Sequence, residues 1–369
     1  MKNYFLFVLF VCSISCKNKI KIENTVQEET TSKIKYAKGF DIIKNDSGIK
    51  LIIKRPYQNA KEVFEYNISK TKQTNSIKVP IEKLVVTSTT HIPMIELLEC
   101  ENKIVGFPHT KYVSSERTRK LIDSGLITEI GKEASLNTEI LLDLQPDLVV
   151  GFSVSSINKV FKTIEKAGIP VMMHGGWLEE TPLGRAEWIK FFGLLLNKEK
   201  EADSIFNTIE NNYVTAKKIA SNSNKQPTIL SGAIMNSEVW NLPAGESFVA
   251  QYLQDANLNY LWKDTKGRGS LSLSIESVLD KAKHADFWIS PGYFNTKEQL
   301  LQSNTNYSEF SAFKNDKIYT PNLKTGSTGG TIYFELAPVR PDLVLKDIIK
   351  ITQPELLPNY KTTFFEKMK

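Results

Sequence analysis

Apolar and polar residues alternate along residues 34–54, and the pattern breaks at Asn45-Asp46-Ser47-Gly48. This predicts a β-hairpin, with a further strand over residues 63–68. Beyond it, short apolar runs take over. Residues 81–87, 104–107 and the run Leu148-Val149-Val150 suit strands buried on both faces of a parallel sheet. Helices are predicted over residues 93–99, 135–145 and 157–167. Two have clear stops: the residue before Pro146 is pushed out of the helical region, and Gly168 is a capping glycine before a strand at 169–172. The β/α alternation spans residues 79–177. Then Ala202, Ile205, Phe206, Ile209, Tyr213, Ala216 and Ile219 recur at three- and four-residue steps, which predicts one long helix of about five turns. After Ser221-Asn222-Ser223-Asn224 the alternation resumes. Strands are predicted at 228–231, 286–289 and 317–319, with helices at 247–255, 275–282 and from Arg340-Pro341-Asp342 to 351. The pattern predicts two Rossmann-like α/β lobes joined by a single long helix, with an N-terminal hairpin extension.

The first residues follow a different logic. Lys2 precedes an apolar run from Tyr4 to Val11, too short to span a bilayer, and Ser13-Ile14-Ser15-Cys16 resembles a bacterial lipobox. The expectation is a signal peptide over 1–15, lipid on Cys16, and a polar tether over 16–31. The remaining boundaries read as an extension at 32–77, a first lobe at 78–180, a connecting helical segment at 181–224 and a second lobe at 225–369. Cleavage would remove Cys12, so no disulfide framework is possible within the chain, and Cys100 reads as a buried hydrophobe. At 369 residues, 41% hydrophobic and 24% charged, the chain is an ordinary globular protein. Its net charge of +6 is scattered along the sequence, which argues against nucleic-acid binding.

Motifs for catalysis are poor. Gly151-Phe-Ser153-Val-Ser155 lacks the final glycine of a nucleophile elbow. Gly267-Arg-Gly269 and Gly326-Ser-Thr-Gly-Gly330 lack the lysine of a phosphate-binding loop and read as loops. The four histidines show no metal-ligand spacing, and no metal or cofactor site is expected. Open α/β sheets bind ligands beyond the C-terminal ends of their strands. That places His91, His109, Tyr112 and Trp177 of the first lobe, and Trp240, Arg268 and Tyr293 of the second, as candidate ligand contacts. Aromatic rings would wall a macrocycle or chelate, and an arginine would fork onto carboxylate or catecholate oxygens. Trp188 and Trp262 read as structural.

The stretch Ser135-Leu-Asn-Thr-Glu139-Ile-Leu-Leu-Asp-Leu-Gln-Pro146-Asp147-Leu-Val-Val150-Gly151, with Ala167-Gly-Ile-Pro-Val171, resembles the periplasmic-type binding proteins of iron–siderophore, haem and cobalamin ABC importers. Segments 180–193, 339–350 and 354–358 extend the likeness over residues 81–358. One leucine usual in that family is replaced by Thr138; Glu139 is retained. The resemblance implies the class III binding-protein fold and a lipid-anchored monomer without enzymatic activity. Such a protein captures a small metal chelate between its lobes and delivers it to a permease and its ATPase. It also implies that Glu139 and Glu276, at equivalent places in the two lobes, dock on the permease. Two rival readings are a surface lipoprotein that captures haem or a chelate without a permease, and a metal-dependent enzyme on the same fold.

Overall fold

The computed structural model describes residues 30–31, 34–46, 48–132, 135–236 and 239–369. The signal segment and Cys16 lie outside the described residues. So does the tether, apart from Thr30–Thr31, which pairs antiparallel with the second strand instead of being free chain. Five strands build the N-terminal sheet in sequence order: β1 (Thr30–Thr31), β2 (Phe40–Asn45), β3 (Gly48–Ile53), β4 (Phe64–Ser69) and β5 (Ser76–Lys78). The hairpin β2–β3 is thus the centre of a larger sheet. Phe40, Ile42, Leu51, Ile53 and Ile68 are buried in the core of the first lobe, so this sheet is built into that lobe and is not an appendage.

The first lobe contains β6 (Leu84–Val86), β7 (Ile104–Phe107), β8 (Thr128–Glu129), a ribbon of β9 (Gly131–Lys132) with β10 (Ser135–Leu136), β11 (Leu148–Gly151) and β12 (Val171–Met173). Its main sheet runs β12-β11-β6-β7-β8, all parallel. The period of two along a strand explains the continuous apolar runs. Leu84, Val86, Leu148, Val150 and Met172 face one core with Trp188 and Phe192. Val85, Val149, Val171 and Met173 face another with Leu141, Phe161 and Ile164.

The second lobe contains β13 (Thr228–Ser231), β14 (Ala233–Asn236), β15 (Val239–Pro243), β16 (Asn259–Tyr260), β17 (Ser270–Ser274), β18 (Phe287–Ile289), β19 (Ile318–Thr320) and β20 (Glu366–Lys367). Its main sheet is β16-β13-β18-β19-β20, parallel except for the edge strand β20, and an antiparallel sheet β14-β15-β17 stands beside it. The fold is mixed α/β with parallel sheets.

Helix Glu199–Ser221 joins the lobes. Its buried residues step by four and three: Ala202, Phe206, Ile209, Tyr213, Ala216 and Ala220. The first three belong to the core of the first lobe and the last three to that of the second. One face of one helix is therefore shared by two cores along about 35 Å. A second crossing also links the lobes. Helix Ile332–Leu336 sends the Glu335 carboxylate to the backbone N–H groups of Ser114 and Ser115, at 2.7 and 2.9 Å. Gly330, in the loop before that helix, lies so close to the Tyr112 carbonyl that an added Cβ would stand 2.3 Å from its oxygen. Among the described residues, no helix is long and apolar enough to cross a membrane.

Candidate functional site

A cavity of about 420 Å³ opens between the lobes. From the first lobe and the connecting segment come Thr90, Met94, His174, Trp177 and Arg185. The second lobe supplies Phe248, Tyr252, Tyr293, Tyr333 and Phe334, among others. Several of these follow strand ends directly: His174 to Trp177 follow β12, Gly232 follows β13, Ser290 to Tyr293 follow β18, and Pro321-Asn322 follow β19. A second cavity, about 520 Å³, is lined by first-lobe residues after β6, β7 and β11, including Ser88, His109, Tyr112 and Phe152. Residues Thr87 to Thr89 line the second cavity and Thr90 the first, so this turn separates them. Both volumes fall within the ~300–1,000 Å³ usual for small-molecule sites.

The loop carrying Trp177 is held from behind. A Cβ on Gly175 would stand 1.9 Å from the Arg55 carbonyl oxygen, so only glycine lets the loop and the N-terminal sheet meet. Below the loop, His91 and His174 pack together, with ring centroids 4.4 Å apart, and His174 packs in turn on Trp188. Burial pushes the His91 pKa down to about 3 and that of His174 well below the usual value, so both rings are neutral. The N–H of Gly176 donates to His174 Nδ1 at 3.3 Å, which leaves the His174 proton on Nε2.

The candidate residues separate into three groups. Trp177 and Tyr293 line the cavity between the lobes, Tyr293 at its mouth with 74% exposure. His109 and Tyr112, stacked at 5.5 Å, line the second cavity. His91, Trp240 and Arg268 line neither, and each is a correction. His91 is 1% exposed because the chain turns straight into helix Ile92–Leu97 and carries the ring inward. Trp240 is fully buried against Trp288, at 5.3 Å, and donates to the Ser231 carbonyl. Strand alternation hides it and turns Asn241 to the other face, where Asn241 lines the cavity. Arg268 is an exposed surface residue that pairs with Glu180, as do Arg55 at 2.8 Å and Lys38 at 3.2 Å. Sequence reasoning missed Arg185, His174, Phe248 and Tyr252. Arg185 had a visible signal: a lone cation in Pro182-Leu-Gly-Arg-Ala, an otherwise apolar first turn of a helix.

Glu139 and Glu276 occupy matching places. Each is the second residue of a helix whose cap, Asn137 or Ser274, accepts from the helix's own first-turn N–H groups, and each is exposed. The preceding residues also match, Ser135-Leu136-Asn137 against Ser272-Leu273-Ser274. Among the described residues, no group of three or more His, Cys, Asp and Glu side chains is arranged to hold a metal ion.

Residues 84–324 match the periplasmic binding protein family. The chain belongs to that family. It is a solute-binding protein, not an enzyme. A lipoprotein of Methanocaldococcus jannaschii is 26% identical, the match covering 96% of this chain and 90% of that one. Among solved structures, a periplasmic haem-binding protein of Vibrio cholerae superimposes with a TM-score of 0.56 at 16% identity, covering 72% of this chain and 99% of its own. The triscatecholate siderophore-binding protein of Bacillus subtilis gives 0.55 at 18% identity, covering 76% and 96%. At such identities these two share the fold of this binding protein.

Proposed function

We propose that this binding protein is the lipid-anchored receptor of an ABC importer for an iron chelate, haem or cobalamin. The observation that carries the reading is the cavity between the lobes, walled by Trp177 and Tyr293 from loops after strands and by Phe248, Tyr252, Tyr333 and Phe334 from two helices of the second lobe. Rings at that density suit a large, partly apolar ligand. Family membership, a lipoprotein relative, and haem- and siderophore-binding proteins of the same fold support it. In this reading the chelator or macrocycle holds the metal and the protein holds the organic shell. The long helix shared by both cores and the Glu335 contact keep the two lobes nearly fixed, so binding needs little hinge motion. Cys16 carries the anchor, and Glu139 with Glu276 meets the permease.

Tryptophan-fluorescence quenching with a panel of ferric siderophores, haemin and cyanocobalamin tests the proposal. One panel member is expected to bind, and Trp177→Ala to weaken it by ~1–3 kcal/mol, the range for a lost aromatic contact. Free ferric and zinc ions are expected to bind negligibly. Tight binding of a bare ion, removed by substituting His109 or His174, would make the protein a metal-ion receptor instead.

A further inference from the structure

Among the described residues that line the cavity between the lobes, Arg185 is the one with a permanent charge. It comes from helix Pro182–Glu187, where its helix neighbours Pro182, Leu183, Gly184, Ala186 and Glu187 are all buried. Its guanidinium carbon lies 3.9 Å from the centroid of the Phe248 ring, and Nη2 donates to the Trp177 carbonyl at 2.7 Å. Nε is buried without an acceptor. No carboxylate among the described residues forms an ion pair with it. Glu179, the carboxylate whose charge reaches it, is already occupied by the N–H groups of Lys38 and Gly39 and by Trp188 Nε1. Burial without a counter-ion pulls the Arg185 pKa below its usual value.

Two further donors share this wall. Trp177 Nε1 is buried with no acceptor, and so is His174 Nε2, which carries the ring proton. Buried donors are almost always paired in folded proteins, so three unpaired ones around a single cavity are unusual. Single water molecules could answer the two neutral donors, but water supplies no charge to balance the guanidinium. The rest of the lining offers only neutral groups. We infer that the wall formed by Arg185, Trp177 and His174 receives an oxyanion, a carboxylate or phosphate carried at one end of an otherwise apolar ligand. The inference rests on the cavity being the ligand site and adds the charge and polarity of what enters it. The anionic end sits deep, against the connecting segment, and the apolar body faces the rings of the second lobe.

The test uses probes that share an aromatic body and differ in the head group: 2-naphthoate, 2-naphthyl phosphate and neutral 2-naphthamide. They are titrated against the full mature protein by tryptophan fluorescence. The wild type is expected to bind at least one anion about 10- to 100-fold more tightly than the amide, the range for a hydrogen-bonded charge pair. The better anion identifies the head group. Arg185→Gln is expected to erase the preference, and Arg185→Lys to keep part of it, since charge remains but the fork is lost. Equal binding of amide and anions, an undiminished preference in Arg185→Gln, or no anion binding up to millimolar concentration would each overturn the inference. Should Arg185→Gln fail to fold, the wild-type comparison and Arg185→Lys decide. A chelate from the panel that binds equally to wild type and Arg185→Gln would overturn this subsite and leave the receptor reading standing. Anion preference with no panel ligand bound would do the reverse.

Discussion

Among the glutamates that sit at backbone N–H groups or helix starts, five divide clearly into two kinds. Glu179, Glu187 and Glu335 are buried and reach across the molecule. Glu187 takes the N–H groups of Lys35, Tyr36 and Ala37, and Glu179 those of Lys38 and Gly39, so five consecutive donors of the segment before β2 end on two carboxylates. Glu335 ties the second lobe to Ser114 and Ser115 of the first. Glu139 and Glu276 have the same chemistry at helix starts, yet they are exposed and bind no distant segment among the described residues. The difference teaches how to read a carboxylate. A buried one that satisfies several N–H groups is holding the fold; an exposed one in the first helical turn, where the helix dipole already favours it, is free to serve a partner.

The largest break in this comparison is expected at Glu187. Glu187→Ala would strand three backbone donors and take from the Lys190 ammonium its partner at 3.0 Å, leaving it the Asp203 carboxylate at 3.4 Å. Such a loss is expected to destabilise by ~3–5 kcal/mol, as for removing one partner of a buried charged pair. Urea denaturation measures it. A change below ~1 kcal/mol would show that the N-terminal sheet is held by its apolar contacts alone.

Glu335 gives the next effect, and its sign can be worked out. Burial, opposed by its N–H partners and reinforced by the nearby Glu96 charge, raises its pKa from 4.5 to about 7. Between these values the folded protein keeps a proton that the unfolded chain has released. This contribution to stability is therefore complete below about 4.5, falls as pH rises, and levels off above about 7, a span on the order of 3 kcal/mol. His91 and His174 act oppositely: held neutral when folded, they lower stability as pH drops below their ordinary value of 6.5. The two effects separate by comparing wild type with Glu335→Gln in urea melts at pH 5 and pH 8. The pH-dependent difference between the two proteins is expected to follow Glu335; parallel curves would refute it.

How much of this was legible in the chain differs by element. The parallel strands announced themselves as runs such as Leu148-Val149-Val150, because both faces of those strands are buried. The long helix was legible because a single face serves two cores, which enforces an unbroken three-and-four spacing. The N-terminal sheet was only half visible. Its centre is a local hairpin, but β5 pairs parallel with β4 and β1 is two residues long, so neither leaves a local signature. At the site, placing candidates after strands picked out Trp177 and Tyr293, which line the cavity between the lobes. It overlooked Arg185, which enters from a helix of the connecting segment, and misassigned Trp240, whose side of β15 depends on a register that only the folded sheet sets. The Glu335 crossing joins residues more than 200 positions apart, and nothing local in the sequence reports it.

The smallest structural effect, and the sharpest functional one, is expected at the exposed pair. Glu139→Ala combined with Glu276→Ala removes two carboxylates that make no long-range hydrogen bond among the described residues, and Asn137 and Ser274 still cap their helices. The melting midpoint is expected to stay near that of the wild type, and affinity for the bound panel ligand to stay within about twofold, because rim charges act mainly on encounter with a partner. Under the proposed docking role, uptake of that ligand by cells carrying the importer is expected to be lost, since two separated charges would set both position and orientation on a permease. Each single substitution should leave partial uptake, one anchor remaining. A double variant that still transports would favour a capture protein that works without a permease; one that loses ligand affinity would move these glutamates from the docking surface into the binding site, and the division between buried and exposed carboxylates would fail with it.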